Sequence, residues 1–463
     1  MVSAATTEVP LGAGATVLVC GAALAGQSMA KALLARGVTV LVTDRVESCG
    51  GVADLVRAGA RFVGSPDGVP DGVDQVVTSP GWRPDHPLFA DAFSRGLEVI
   101  GELEFAWRLR GAAAAPWLAV TGTNGKTTSV RMLESILRAS GRKALAVGNV
   151  GVSVVDAVTA YEPYDVLAVE CSSFQLYWSS TVTPRAGALL NLAPDHLDWH
   201  GTMQGYTETK TRVWAGPVAI GNADDPIVAD LLASSAAPTQ VGYTLSEPAP
   251  GQLGLSAGIL VDNAFADTPV ELVVASEIRP AGTHNVANAL AAAALARSYG
   301  VRAEHVAAGL RSFVPDPHRN QFLFERDGVG YVDDSKATNP HAALASLTAF
   351  ERVVWIAGGQ LKDAPVEELI AAVADRLVGV VLLGTDRAVL AAALRRHAPD
   401  VPVIDVSSTD DGAMTEVVRT AAGLARPGDV VLLAPAAASY DMFSGYAARG
   451  AAFEAAARAL GRP

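Results

Sequence analysis

A chain of 463 residues is too long for one hydrophobic core and suits about three domains, and its net charge of −13 argues against a nucleic-acid partner, which requires a basic surface. Half of the residues are hydrophobic, yet no run of about 18 strongly apolar residues occurs, so no transmembrane helix is expected. Met1–Pro10 carries Glu8 and neither Lys nor Arg, unlike a signal peptide, and the sparse cysteines Cys20, Cys49 and Cys171 fit a reducing cytoplasm better than a disulfide framework.

The first α/β unit opens with the apolar run Ala15–Cys20 and turns through Gly21–Gly26. A helix follows to Arg36, then a strand, Val38–Val42, that leads to Asp44. This is a Rossmann-type opening whose strands and helices continue to about Ile100. Ala23 stands at the second glycine position of the dinucleotide fingerprint, where a side chain impedes close approach of a pyrophosphate. Asp44 and Arg45 stand where a ribose or base would be read, so a nucleotide-type ligand fits better than a nicotinamide cofactor. Gly111–Pro116 reads as a linker.

Beyond the linker, the strand Trp117–Val120 runs into Thr121-Gly122-Thr123-Asn124-Gly125-Lys126-Thr127-Thr128. A helix over Ser129–Ser140 follows, with Val130, Leu133, Ile136 and Leu137 on one face. Such a loop points backbone N–H groups into one concavity at the positive end of a helix dipole, where a polyphosphate binds. Lys126 reaches the terminal phosphates and the Thr127 hydroxyl ligates magnesium. Val120 replaces the first glycine of the usual pattern, and the competing reading is an ordinary turn before a helix. ATP is the expected ligand.

The strand Val166–Val169 delivers Glu170 at its carboxyl end, the edge where ligands sit in open α/β sheets. Glu170 suits magnesium; its other reading is a cap for the next helix. A further strand, Ala188–Leu192, ends at Pro194, with Asp195 and His196 at the same edge. Lys210 lies in the polar helix-like segment Thr207–Arg212, where sequence alone favours an exposed helix lysine. A third unit begins near Val314–Pro317. Its strands Val353–Ala357, Val378–Leu383, Val403–Val406 and Val430–Leu433, the first three followed by helices, imply another parallel sheet.

Several of these segments, taken in order, resemble the Mur ligase family of ATP-dependent amide-bond formers. They are Thr121–Thr127, Gly148–Gly151, Glu170–Gln175, Asn191–Asp198, His284-Asn285 with Asn288, and Pro317-His318-Arg319. The resemblance runs from about residue 15 to 455. Asp333–Asn339, Gly358–Lys362 and Pro435–Asp441 point to the branch that adds D-glutamate to UDP-N-acetylmuramoyl-L-alanine in cytoplasmic peptidoglycan precursor synthesis, and so in cell-wall biogenesis, cell shape and division. Asp333 stands where that branch usually has Asn, Gln360 where it commonly has Asp, and Tyr446 where it commonly has Phe.

The resemblance implies three α/β domains: a Rossmann-like UDP-substrate domain over 1–110, a central P-loop ATPase-like domain over 111–313, and a Rossmann-like amino-acid domain over 314–463. It implies an ATP site of Gly122, Thr123, Asn124, Gly125, Lys126, Thr127 and Thr128 with Asn288, Arg319 and Asp334. Two magnesium ions would be held by Thr127, Glu170, His196 and Lys210, the lysine carbamylated. Leu24, Ala25, Asp44, Arg45, Ser79 and Asn149 would contact the UDP substrate. Lys336, Thr338, Lys362, Ser439 and Tyr446 would contact D-glutamate, with His318 beside them as a base or an orienting group. Lys126, His196, Lys210 and His318 would be the catalytic residues of a monomer. The competing readings are another Mur-type ligase or a folylpolyglutamate synthetase, a nicotinamide oxidoreductase built on Gly21–Gly26, and a nucleotide-binding protein without catalysis.

Overall fold

The computed structural model describes residues 12–44, 50–111, 114–362, 364–408 and 412–460. Arg45, Cys49 and the Met1–Pro10 segment lie outside the described residues. The chain divides into two compact units, one of Met1–Glu277 with Ala287–Phe313 and the other of Ile278–Val286 with Val314–Pro463.

The first unit holds two sheets. The smaller has five parallel strands in the order Arg61–Phe62, Thr39–Thr43, Thr16–Cys20, Gln75–Thr78, Val99–Gly101. Its central strand is apolar on both faces because both are covered. Val17 and Val19 pack into one core with Met29 and Leu33, while Leu18 and Cys20 pack into another with Val76 and Phe89. The Rossmann-type reading therefore holds. Cys20 and Cys171 are free and buried, and burial pushes both thiols up.

The second sheet has nine strands, in the order Val270–Val274, Ile259–Asn263, Gln252–Ser256, Thr239–Tyr243, Val218–Asn222, Ala186–Leu189, Trp117–Thr121, Val166–Glu170, Ala144–Gly148. Seven are joined by parallel pairings, and the remaining two, Ile259–Asn263 and Val270–Val274, pair antiparallel at one end. One expected strand is displaced: pairing covers Ala186–Leu189 rather than Ala188–Leu192. The chain leaves the sheet early because Asn191 is committed to the phosphate loop. Its Oδ1 accepts from Asn124 N–H at 2.8 Å, and its carbonyl accepts from Thr123 N–H at 3.0 Å.

The second unit carries a six-stranded sheet ordered Gln321–Arg326, Val329–Asp333, Val430–Leu433, Val353–Gly358, Leu377–Leu383, Val403–Asp405. All four expected strands are present and parallel. The all-parallel expectation needs one correction, because Gln321–Arg326 pairs antiparallel with Val329–Asp333. A tight turn at Asp327-Gly328, both at positive φ, makes this hairpin.

Two buried glutamates on the helix Glu102–Leu109 tie the two sheets of the first unit together. Glu102 accepts from Ser153 Oγ at 2.6 Å and from Gln175 Nε2 at 2.9 Å. Glu104 accepts from Ser180 N–H at 2.7 Å, Thr181 N–H at 2.9 Å and Arg108 Nε at 2.7 Å. Burial alone would push the Glu104 carboxyl up, but its hydrogen bonds from Thr181, Ser180 and Arg108 outweigh burial and hold it below the usual range. Glu104→Ala strips the buried Arg108 of one carboxylate and takes the acceptor from the Ser180 and Thr181 N–H groups. The expected loss is about 3–5 kcal/mol in urea unfolding, and a loss within about 0.5 kcal/mol, the range of ordinary surface substitutions, would remove this anchor from the fold's essentials.

Candidate active site

The phosphate loop joins the buried strand Trp117–Thr121 to the helix Lys126–Ala139. Gly122 and Gly125 both have positive φ, 158° and 83°. Lys126 Nζ folds back over its own loop and donates to Gly122 O at 2.9 Å and Thr123 O at 2.8 Å. The Thr123 hydroxyl lies 3.0 Å from Tyr206 Oη and accepts from Ala193 N–H at 3.0 Å, which ties the loop to the next strand edge. Thr127 is half-buried and Thr128 buried at the first turn of the helix. Asn288 lines the same loop, its Oδ1 accepting from Ser129 Oγ at 3.3 Å.

Lys210 is not the exposed helix lysine that sequence alone favours. It is 1% exposed at the end of the helix Met203–Thr211, and its Nζ donates to Gly122 O at 2.7 Å. Two lysine nitrogens thus converge on one carbonyl. Burial, and then the charge of Lys126, push the Lys210 amine well below the usual lysine range.

Glu170 is the last residue of Val166–Glu170, opposite Val120 in the parallel register, and is 1% exposed. Its Oε1 accepts from Asn149 Nδ2 at 2.9 Å, while Oε2 is buried with no partner among the described residues. It is not a helix cap. Ser172 caps the following helix, in a reciprocal box with Gln175. His196 sits at φ 53°, its ring packed 4.7 Å from Phe174 and its Nε2 3.5 Å from Asp195 Oδ2. Burial pushes its pKa down, and Asp195 opposes this. Among the described residues no group of three or more His, Cys, Asp or Glu is placed to hold a metal. A single orphaned carboxylate oxygen beside a phosphate loop still fits magnesium, which takes one or two carboxylates and completes its shell with phosphates and water.

Of the residues expected at the UDP substrate, Leu24, Ala25, Asp44 and Ser79 follow the carboxyl ends of strands of the five-stranded sheet, whereas Asn149 follows Ala144–Gly148 of the nine-stranded one. Leu24 and Ala25 open an exposed helix start. Asp44 Oδ2 accepts from Ala22 N–H at 2.7 Å, and Ser79 Oγ is buried without a partner among the described residues.

In the second unit His318 Nδ1 lies 2.6 Å from Asp333 Oδ2, and Lys336 Nζ lies 4.2 Å from the Tyr446 ring centre, which is 6.4 Å from the His318 ring. Thr338 follows, its N–H bonded to Lys336 O. Gln360 and Ala438 exchange backbone hydrogen bonds of 2.9 Å, which sets the loop bearing Lys362 beside Ser439. Asp334 accepts from Asn320 N–H and Ser346 Oγ; burial pushes its carboxyl up to about 6, and half-buried Arg319 pulls the other way.

Family comparison decides what these loops belong to. Residues 15–101 match the N-terminal domain of MurD-like Mur ligases, 120–296 the Mur ligase middle domain, and 318–437 the Mur ligase glutamate ligase domain. The chain belongs to the Mur ligase family. It is 54% identical to the UDP-N-acetylmuramoylalanine–D-glutamate ligase of Thermobifida fusca, over 96% of this chain and 99% of that one. It is 47% identical to the enzyme of the same name from Mycobacterium tuberculosis, over 97% of each. In fold it is similar to UDP-N-acetylmuramate-alanine ligase from Thermotoga maritima, with TM-score 0.56 at 19% identity over 91% of this chain and 95% of that one.

Two features of this Mur ligase were not read from the sequence. Asn191 clamps the phosphate loop. Arg449, 1% exposed, donates to Ser335 Oγ, Ser335 O and Ala437 O at 2.9–3.1 Å, joining two of the strand-edge loops of the second unit. Burial lowers its pKa to about 10. No sequence signal sets it apart: the alanine-rich run Tyr446–Ala459 holds two arginines, Arg449 and Arg458, and only the first is buried.

Gly125 is held at positive φ, and an added Cβ would lie 2.3 Å from Asn288 Oδ1. Gly125→Ala should therefore weaken ATP binding by about tenfold or more, since about 1.4 kcal/mol of strain suffices. Equilibrium titration with a non-hydrolysable ATP analogue measures it, and unchanged affinity would discard this loop as the phosphate cradle.

Proposed function

We propose that this chain is an ATP-dependent ligase that joins D-glutamate to UDP-N-acetylmuramoyl-L-alanine in cytoplasmic peptidoglycan precursor synthesis, acting as a monomer. One observation carries the chemistry: the buried Lys210 amine on the phosphate loop's own carbonyl, with the orphaned Glu170 oxygen at the adjacent strand end. The choice of amino acid is supported by the names of relatives that match over nearly the whole chain. No helix among the described residues is long and apolar enough to cross a membrane. We assign residues 1–110 to the UDP substrate, 111–313 to ATP and 314–463 to the amino acid.

Lys126 and the loop N–H groups of Gly122–Thr128 bind the polyphosphate, with Asn288, Arg319 and Asp334 assigned to the nucleoside. Leu24, Ala25, Asp44, Arg45, Ser79 and Asn149 orient the sugar nucleotide so that its L-alanine carboxylate accepts the terminal phosphoryl group. Thr127, Glu170, His196 and carbamylated Lys210 would hold magnesium, which would supply positive charge against the phosphates. Lys336, Thr338, Lys362, Ser439 and Tyr446 hold the two carboxylates of D-glutamate. His318 accepts a proton from its ammonium group, the freed amine forms the C–N bond, and the acyl C–O bond breaks with phosphate leaving.

Phosphate release with ATP, magnesium and UDP-N-acetylmuramoyl-L-alanine tests the reading: turnover is expected with D-glutamate and not with L-alanine, L-lysine or diaminopimelate. In the same assay Lys362→Ala should raise the D-glutamate KM about 10- to 150-fold, the loss of one charge-assisted hydrogen bond, while leaving the ATP KM nearly unchanged. Loss of ATP affinity with D-glutamate affinity intact would move Lys362 out of the amino-acid pocket.

Lys210→Ala is expected to be inactive and partly restored by acetate, a short carboxylate that replaces the carbamate. Independently of turnover, enzyme equilibrated with ¹³C-bicarbonate should give a carbamate carbon resonance that Lys210→Ala lacks. A resonance that persists in the variant would assign the modification elsewhere.

A further inference from the structure

Asn320 follows Arg319 and holds its backbone in the left-handed region, at φ 47°. Asparagine tolerates that conformation better than most residues, but away from a hairpin turn it persists only where neighbours hold it. Two contacts do so. The Asn320 N–H donates to Asp334 Oδ1 at 3.0 Å, and its Nδ2 donates to the carbonyl of Ala281 at 3.3 Å. Asn285 Nδ2 donates to the same carbonyl at 3.2 Å.

The bond to Ala281 settles which way the amide faces, because only its nitrogen can donate to a carbonyl. The other end is Oδ1. That oxygen is buried and has no hydrogen-bond partner among the described residues, on a residue only 8% exposed. A strained backbone thus holds a buried acceptor that no described group satisfies, a combination that a donor arriving with a ligand explains.

The neighbours narrow the choice of donor. Arg319 and Asp334 are assigned to the nucleoside, where ATP offers ribose hydroxyls and the 6-amino group of adenine. The hydroxyls of a ribose suit a carboxylate, and Asp334 supplies one. An amide oxygen suits the 6-amino group, the pairing that asparagine makes with adenine in other settings. Facing a base with a carbonyl at position 6, the same oxygen would meet a second acceptor and stay unpaired.

We propose that Asn320 is a specificity residue of the nucleotide site: its Oδ1 accepts from the 6-amino group of adenine and so selects ATP over purine triphosphates that carry an oxygen there. The inference rests on the ATP-dependent ligase reading, with Arg319 and Asp334 as nucleotide contacts.

Inosine triphosphate, with a carbonyl at position 6, provides the test. In the phosphate-release assay with UDP-N-acetylmuramoyl-L-alanine and D-glutamate, the wild type should show a KM for inosine triphosphate at least about tenfold above that for ATP, the effect of one buried acceptor left unpaired. Asn320→Gly removes the side chain at a backbone conformation that glycine adopts freely. It should shrink that ratio by about tenfold, the same contribution lost, with kcat for ATP little changed. Asn320→Asp keeps an acceptor oxygen but gives up the donor to Ala281, and it should keep the wild-type ratio. The KM ratio of 2′-deoxyadenosine triphosphate to ATP should be the same in all three proteins.

A wild type that does not discriminate against inosine triphosphate would overturn the role of Asn320. An Asn320→Gly ratio that does not move, as when Oδ1 meets only a fixed water, would overturn it too. So would equal loss of discrimination in Asn320→Asp, which would trace the effect to the bond with Ala281, and so would a change confined to the 2′-deoxy ratio, which would place Oδ1 at the ribose. Absence of ATP-dependent phosphate release in the wild type would instead overturn the ligase reading itself.

Discussion

The first unit depends on a convergence of like charges that only burial can resolve. Lys126 and Lys210 both place Nζ within 3 Å of the Gly122 carbonyl, at 2.9 and 2.7 Å. Two ammonium groups at one acceptor repel each other, and an ammonium inside protein loses several kcal/mol of hydration. The half-buried Lys126 keeps contact with solvent; the fully buried Lys210 does not, and burial pushes its pKa down. Much of the local framework serves this arrangement: Thr121 contacts Lys210, and Tyr206, Thr123 and Asn191 stitch the loop to the neighbouring strand edge.

The phosphate loop itself was legible in the sequence because its physics is local. A strand, a glycine-bearing loop and a helix start are contiguous, and each has its own composition. So were the parallel strands of the second unit, whose apolar runs reflect burial on both faces. The burial of Lys210 was not legible. The inward face of the helix Met203–Thr211 is Tyr206, Thr209 and Lys210, a helical spacing carried by residues too polar to register as an apolar stripe. The antiparallel strands were hidden for a related reason: Gln252–Ser256, Ile259–Asn263 and Gln321–Arg326 mix apolar with polar residues and sit at sheet margins. Nor does any local pattern announce Asn191 or Arg449, whose partners lie 67 and 114 residues away.

The strand-edge loops of the second unit rest on a different device, hydrogen bonding to backbone. Arg449 spends its donors on carbonyls and one hydroxyl rather than on a carboxylate, and Gln360 pairs with Ala438 as an isolated bridge. Loops held in this way are fixed through their backbone. Lys362 is exposed, and Thr338 and Tyr446 are half-buried. A pocket for a small dianion needs that combination, because cationic groups neutralised by internal ion pairs would have little left to offer a ligand.

Backbone strain marks the same places. Among the described residues seven that are not glycine have positive φ. Two of them, Ala257 and Asp327, each precede a glycine in a tight hairpin, where turn geometry demands that conformation. The other five are His196, His318, Asn320, Lys362 and Ala436. His196, Lys362 and Ala436 follow the carboxyl ends of parallel strands; His318 and Asn320 precede Gln321, which pairs with Asp333 at the carboxyl end of its strand. Each such residue costs about 1–3 kcal/mol and persists only where its surroundings hold it. Turn chemistry does not require these five, and three of them carry the imidazoles and the ammonium assigned to the reaction. The strain is therefore concentrated where side chains must project from a strand edge into a ligand's space rather than follow the direction the sheet would give them.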